Sequence, residues 1–291
     1  MRRTAVIVSG ASRLSPDQVN AILSVSVNHD EEFHVQVANS SSDATAAANL
    51  AAKSADIVVA VGGDGTVADV ATGIYGSSAA LAIVPAGSTN IAARSLGIPA
   101  DAAAALALIC GPYRIRSIDV GRSDGRSFVH MAGAGVDAAL FHATSPVLKR
   151  RLGWLAYIPA AVTALRLPPS DIRISTDTEI LEARSSLVLI ANGGSAIAPE
   201  YQIYPGIAVD DGWLDLIVFT PLSAAEIAAT LGHAGKQQLD RSPHVTHRRA
   251  RTVMIDATPL LPVELDGDPR GTTPREFSVV PLGLEVVTPV G

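Results

Sequence analysis

Lysine is nearly missing from this chain: Lys53, Lys149 and Lys236 are the only ones in 291 residues. The lysine-bearing phosphate loop GxxxxGK[ST] is therefore absent. Any phosphate seat has to be built from backbone amides, hydroxyls, arginine and metal. Cysteine is reduced to Cys110, which excludes a disulfide framework and a cysteine metal cluster and fits a reducing cytosol. No apolar run approaches the ~20 residues that a membrane-spanning helix needs. Met1 to Thr4 lead directly into the strand-like run Ala5–Val8, so no secretory signal is expected. No GxSxG elbow surrounds Ser9, Ser12 or Ser195, which argues against a serine hydrolase. His29, His34, His142 and His233 share no metal-ligand spacing. An excess of positive charge is lacking too, and the net charge of −6 argues against a general nucleic-acid binder.

What is present is apolar: 48% of the residues are hydrophobic and 17% charged, enough for a sizeable core in two domains or one large one. The first third alternates strand and helix. Thr4–Val8, Phe33–Val37, Asp56–Val61 and Ala80–Val84 read as strands. Pro16–Val25 (N-capped by Ser15), Ala44–Lys53, Thr66–Ile74, Asn90–Leu96 and Asp101–Ile109 read as helices. That order implies a parallel sheet with right-handed crossovers, which binds ligands beyond the C-terminal ends of its strands. After about residue 113 strand signals dominate: Arg114–Val120, Ser127–Ala132, Asp171–Thr176, Ser185–Ala191, Leu214–Phe219, Arg251–Ile255, Pro262–Leu265, Glu276–Val280 and Leu284–Val287. Helical patterns remain only around Val136–Ala143, Trp154–Leu165 and Ala224–Leu231. This is the pattern of a β-rich, antiparallel second domain.

Four constellations carry chemistry. Gly62, Gly63, Asp64, Gly65 and Thr66 sit where a buried strand turns into a helix. Glycine allows close approach and φ > 0, and the unsatisfied N–H groups of a helix start favour phosphate. The carboxylate of Asp64 makes sense in such a seat if Mg²⁺ joins it to the phosphates. Pro85 to Arg94 repeats the strand–loop–helix theme, with Gly87, Ser88, Thr89 and Asn90 at the helix start, as a second wall of one phosphate cleft. Glu264 to Pro269 contains Asp266-Gly267, a hairpin-turn signal. Asp268 beside it is a carboxylate able to accept a proton from a hydroxyl. Val209 to Asp215 gathers carboxylates around Gly212, as a turn does, or as a hard-cation site does when backbone carbonyls assist one carboxylate.

With these in place the chain resembles the bacterial diacylglycerol kinase-like lipid kinases, which also include sphingosine and ceramide kinases. Gly62 to Thr66 matches the family's nucleotide loop. Pro85 to Asn90, with Ala93 and Arg94, resembles its PxGTxN(D)xxAR motif. Ile118 to Gly121 and Phe128 to Asp137 resemble the segments that follow. Asn192 to Pro199 and Asp211 to Leu214 resemble the NGxxxGGG…P…DGxLD region, and Leu265 to Asp268 resembles DGE. The departures are Ser9-Gly10 for the early Asn-Pro pair, Ser88 for threonine, Ile91 for an acidic residue, His130 for asparagine and Asp268 for glutamate.

The resemblance implies a three-layer α/β domain with a mostly parallel sheet over 1–118, completed by about 276–291. A C-terminal antiparallel β-sandwich covers 119–275, with the active-site cleft between the two. ATP would meet Gly62, Gly63, Asp64, Gly65, Thr66, Val67, Ala68 and Ser88, flanked in the second loop by Gly87 and Asn90. Asp64 and Asp119 would belong to a Mg²⁺–water network, and Asp268 would be the base. A separate structural Mg²⁺ would be held by the Asp211 carboxylate and the carbonyls of Ala208 and Trp213. The expected reaction is ATP- and Mg²⁺-dependent phosphorylation of a lipid alcohol such as diacylglycerol. The expected location is cytoplasmic, with peripheral contact at an anionic inner membrane face. No nucleic-acid partner is expected, and a homodimer stays open. Lys149 to Arg151, followed by Gly153 to Pro159, pairs a basic head with aromatic and apolar neighbours, as interfacial segments and capped core helices both do. The basic cluster His244, His247, Arg248, Arg249 and Arg251 reads as the outward face of an edge strand. An NAD kinase-like enzyme, which shares the glycine–aspartate loop, and a non-catalytic nucleotide-binding relative are the alternatives.

Overall fold

A computed structural model describes residues 2–26, 31–135, 168–194 and 202–290. The expected helices Val136–Ala143 and Trp154–Leu165 and the segment Lys149–Pro159 lie outside the described residues. The chain divides into two compact units. The first comprises 1–120, 125–129 and 281–291, and the second 121–124 and 130–280.

In the first unit the strands β1 (Arg2–Ser9), β2 (Glu31–Ala38), β3 (Ile57–Gly62) and β4 (Ala80–Pro85) alternate with α1 (Pro16–Ser26), α2 (Ser41–Ala51) and α3 (Asp64–Ile74). After β4 come α4 (Ile91–Ser95), α5 (Ala102–Cys110), β5 (Tyr113–Ser123) and β6 (Arg126–Phe128). The sheet order is β2-β1-β3-β4, and the pairs are parallel. β3 and β4 are buried at every position, because a parallel strand covered on both faces has no solvent side to reserve for polar residues. Helix starts follow the side chains. Ser15 accepts the Gln18 N–H at 3.2 Å while Gln18 returns a bond to the Ser15 N–H at 2.9 Å, a reciprocal cap. Asp101 caps α5 through the Ala104 N–H. α2 packs on α3 and α1 on α5. The α2–α3 approach needs Gly73, where a Cβ would stand 2.4 Å from the Thr45 carbonyl oxygen. Asp69 on α3 is buried, and it receives Ser41 Oγ and an Arg126 guanidinium.

The second unit holds two antiparallel sheets, the β-sandwich expected of it. One runs β12-β11-β10-β7-β14-β15, built from β7 (Met131–Ala134), β10 (Leu187–Ala191), β11 (Leu214–Phe219), β12 (Val245–Ala250), β14 (Pro262–Leu265) and β15 (Asp268–Thr272). The other joins β9 (Ile180–Ser185), β8 (Ser170–Thr176), β13 (Thr252–Thr258) and the first part of β16 (Arg275–Pro289). Helix α6 (Ala224–Gly235) starts on a full capping box between Ser223 and Glu226. It buries Ile227 beside Phe219, Leu187 and Ile217. β9 and β15 were not expected from the sequence. The run Ser127–Ala132 splits into β6 and β7, and the two runs at the C-terminus are one strand. Its last part belongs to the first unit and pairs parallel with β4, Val286 opposite Leu81.

Candidate active site

The glycine–aspartate loop lies at the C-terminal end of β3, but α3 begins at Asp64 rather than at Thr66. Asp64, Gly65 and Thr66 are thus the first helical residues, and their N–H groups point out of an end whose N-cap, Gly63, supplies no side-chain bond. The glycines serve close approach rather than unusual dihedrals, since none of Gly62, Gly63, Gly65 or Gly87 has a positive φ. A Cβ on Gly62 would stand 2.3 Å from Thr66 Oγ1, which folds back over it. A Cβ on Gly87 would stand 2.4 Å from the Cα of Gly63. The two loops expected to face one ligand therefore touch, backbone to backbone.

Asp64 ties them together. Its Oδ1 accepts the N–H of Ala92 at 3.0 Å and so caps α4 from another helix. Asn90, in the left-handed region, braces its own loop: its amide bonds the N–H and C=O of Gly87 at 3.0 and 3.1 Å. Ser88 is exposed, and Arg13 reaches its Oγ at 3.4 Å. Gly63 through Thr66 are half-buried. Val67 and Ala68 are core residues at 2% and 5% exposure, and the Val67 N–H is spent on the Gly63 carbonyl. Neither offers a side chain to a ligand. Asp119 is fully buried in β5, where it accepts the N–H of Leu282 at 2.7 Å. Arg13 was not singled out in the sequence, because an arginine in a loop carries no pattern.

In the second unit the Asp-Gly-Asp hairpin joins β14 to β15. Asp266 and Gly267 take φ of 48° and 90°, the pair of positive values that a tight hairpin requires. Asp266 is an anchor rather than a base, because its Oδ1 accepts the N–H groups of His130 and Met131, both at 2.9 Å. His130 is buried, and its carbonyl receives the N–H groups of Asn192 and Gly193. Asp268 is the accessible carboxylate, with its side chain 40% exposed and paired to Arg270 at 3.0 Å. Glu264 went unremarked in the sequence. It is buried, and its Oε2 accepts the Gly267 N–H at 2.5 Å. Burial pushes its carboxyl up to about 8, against the pull of that N–H and with added repulsion from Asp266 and Asp268. At neutral pH this is a neutral carboxylic acid beneath the turn.

The expected structural Mg²⁺ set meets a different arrangement. Asp211 accepts the Trp213 N–H on Oδ1 at 3.2 Å and the guanidinium of Arg249 on Oδ2. Burial pushes the Asp211 carboxyl upward, while Arg249 and the Trp213 N–H pull it down. The one carboxylate of the set thus already carries a cationic partner. Ala208, Asp211 and Trp213 with that partner do not fit a bound Mg²⁺. Among the described residues no group of three or more His, Cys, Asp or Glu side chains could hold a metal ion. β12 is the edge strand expected from its basic residues, but His247 and Arg249 do not simply face water. They pair with Asp215 and Asp211.

Comparison with known proteins bears on the whole chain. Residues 6–123 match the diacylglycerol kinase catalytic domain, and residues 130–288 match the YegS C-terminal NAD kinase beta sandwich-like domain. The diacylglycerol kinase of Bacillus subtilis (strain 168) is 31% identical over 255 residues, 85% of this chain and 82% of that protein. This chain belongs to the bacterial diacylglycerol kinase-like lipid kinase family. Another lipid kinase relative, the diacylglycerol kinase of Staphylococcus saprophyticus, is 28% identical over 248 residues, 84% of this chain and 81% of its own length. A solved diacylglycerol kinase structure from Bacillus anthracis shares the fold with a TM-score of 0.74 at 20% identity, covering 99% of this chain and 96% of that one. The family is enzymatic, and so is its member here: a lipid kinase. Among the described residues no helix is long and apolar enough to cross a membrane.

Proposed function

We propose that this lipid kinase transfers the γ-phosphoryl group of ATP, supplied as its Mg²⁺ complex, to a lipid hydroxyl such as that of diacylglycerol. The observation that carries the reading is the contact of the two glycine loops at Gly63 and Gly87. It presents the open N–H groups of α3 beside a second loop start, an anion seat that needs no lysine. Gly62, Gly63, Gly65, Thr66 and Ser88 are assigned to the nucleotide phosphates, with Gly87 and Asn90 shaping the loop beside them. Asp64 holds Ala92 with one oxygen, and its charge would help hold Mg²⁺ beside the phosphates. Asp119 would be the second carboxylate to support that ion. Mg²⁺ would neutralise charge on the transferring phosphoryl group.

Asp268 is assigned to the hydroxyl. It orients the acceptor and takes its proton as the new O–P bond forms and ADP leaves with the electrons of the broken bond. Phosphoryl transfer rests chiefly on positioning and electrostatics, which suits a site of loops and carboxylates. Supplying labelled ATP with diacylglycerol in mixed micelles, and in parallel with NAD, is the test. Label in the lipid is expected, and label in NAD alone would replace this reading with an NAD kinase. Asp64→Asn keeps an oxygen for the Ala92 N–H and removes the charge. Both it and Asp268→Asn are expected to lose at least ~100-fold in kcat with an unchanged melting curve. Near-normal turnover by either variant would remove that residue's role.

A lipid acceptor also requires reach to a bilayer, and we assign that contact to Lys149, Arg150 and Arg151. Charge reversal at Arg150 and Arg151 is expected to release the protein from anionic vesicles in co-sedimentation. Unchanged pelleting would end the assignment.

A further inference from the structure

The turn Val209–Asp215 of the second unit concentrates carboxylates that need a counter-charge. Asp215 is 1% exposed. Its Oδ1 lies 2.6 Å from His247 Nε2 and 3.7 Å from Arg249 Nε. Asp211 Oδ2 meets the same guanidinium through Nη2. One arginine therefore spans both carboxylates. Its position follows from strand register: Arg249 on β12 stands directly opposite Asp215 on β11. The indole of Trp213 completes the clamp, with the guanidinium of Arg249 at 5.8 Å from the ring centroid and that of Arg251 at 5.0 Å. Both distances fall within cation–π range.

We infer that Arg249 does here, as a permanent covalently tethered cation, what a structural divalent ion would do at this turn, and that the second unit folds without metal. Guanidinium suits the task, since it stays charged at any physiological pH and its fork can address two carboxylates while its flat face lies over an aromatic ring. A divalent cation on Asp211 would have to displace the guanidinium or share the carboxylate with it, a like-charge contact at close range. The buried Asp215 Oδ2 has no hydrogen-bond partner among the described residues. It is a carboxylate oxygen that an ion could address, and Arg249 and Arg251 bring positive charge to that turn. This inference concerns the fold of the second unit and does not depend on which lipid is phosphorylated. Mg²⁺ dependence of the reaction would then come from the nucleotide complex alone.

The test uses the full chain without nucleotide. Elemental analysis after gel filtration is expected to find divalent metal far below one equivalent, and the melting temperature is expected to be the same in chelator and in Mg²⁺ or Ca²⁺. About one equivalent of retained metal, or a melting temperature that drops in chelator and returns with Mg²⁺, would overturn the inference. Arg249→Ala is expected to melt a few degrees lower in chelator and to gain a Mg²⁺- or Ca²⁺-dependent rise that the parent lacks. An Arg249→Ala chain that melts like the parent in chelator would also overturn it. The two measurements on the parent chain decide the matter even if the variant does not fold.

Discussion

The hairpin that carries Asp268 rests on a buried carboxyl. Glu264 lies under that turn with its carboxyl raised from 4.5 to about 8 by burial. The folded chain therefore holds a proton that the unfolded chain releases near pH 4.5. Stability contributed at this position is complete below the unfolded value and declines as pH rises toward about 8, where the folded group also ionises. Glu264→Gln keeps an oxygen for the Gly267 N–H and removes the titration. Denaturant melts of both chains at pH 5 and pH 9 are the check. The variant is expected to gain roughly 1 kcal/mol or more on the parent at the higher pH. Parallel pH profiles would show that Glu264 does not titrate in this range. At the same scale Asp64 proved less anomalous than its sequence suggested. Its carboxylate has a protein partner, the Ala92 N–H, besides any metal-linked role.

Among elements, the strand-to-helix turns after β3 and β4 depend on where a side chain has no room. Gly62 faces Thr66 Oγ1 at 2.3 Å and Gly87 faces the Gly63 backbone at 2.4 Å, whereas a Cβ at Gly63 would meet only the Gly87 Cα at 3.3 Å. An added methyl at the first two positions forces a side chain or backbone to move, and at the third a few tenths of an ångström suffice. Alanine at Gly62 or Gly87 is therefore expected to weaken ATP-dependent thermal stabilisation by ~10-fold or more in apparent Kd, and alanine at Gly63 by much less. Equal effects at the three positions would show that the loops do not meet as described. The β12 edge gives the same lesson for charge. Alternation along an edge strand predicts which residues share a face, but not that the turn leading into the preceding strand supplies carboxylates to meet them.

At the scale of the whole molecule the chain's last strand contributes to both units. Leu284, Val286 and Val287 are at 4%, 0% and 1% exposure, and Val286 pairs with Leu81 of β4. Asp119 accepts the N–H of Leu282, which takes a φ of 50° just before those residues. A chain ending at Val280 would leave one edge of β4 unpaired and uncover that part of the first unit's core. Such a chain is expected to lose ATP-dependent stabilisation and soluble yield. Retention of a normal ATP-induced shift in melting temperature would show that the first unit stands without its C-terminal strand.

The alternation of apolar strands and alanine-rich helices before residue 113, and the strand-rich stretch after it, were legible because burial periodicity is a local property of the chain. Both glycine loops were legible for the same reason, since strand, glycine and helix start are contiguous there. The sequence by itself also determined family membership, because motifs such as Gly62–Thr66 and Leu265–Asp268 are short, ordered and spread along the chain. It did not determine which carboxylates are accessible. Asp266 and Asp268 look alike in sequence, and only the packing of β7 against β14 makes one an anchor and leaves the other open. Nor could it show that Gly63 meets Gly87, that Glu264 is buried neutral, or that Arg249 stands on Asp211. Each of these is a contact between residues distant in sequence. Tertiary structure decides such contacts because burial and charge compensation depend on what surrounds a side chain in space.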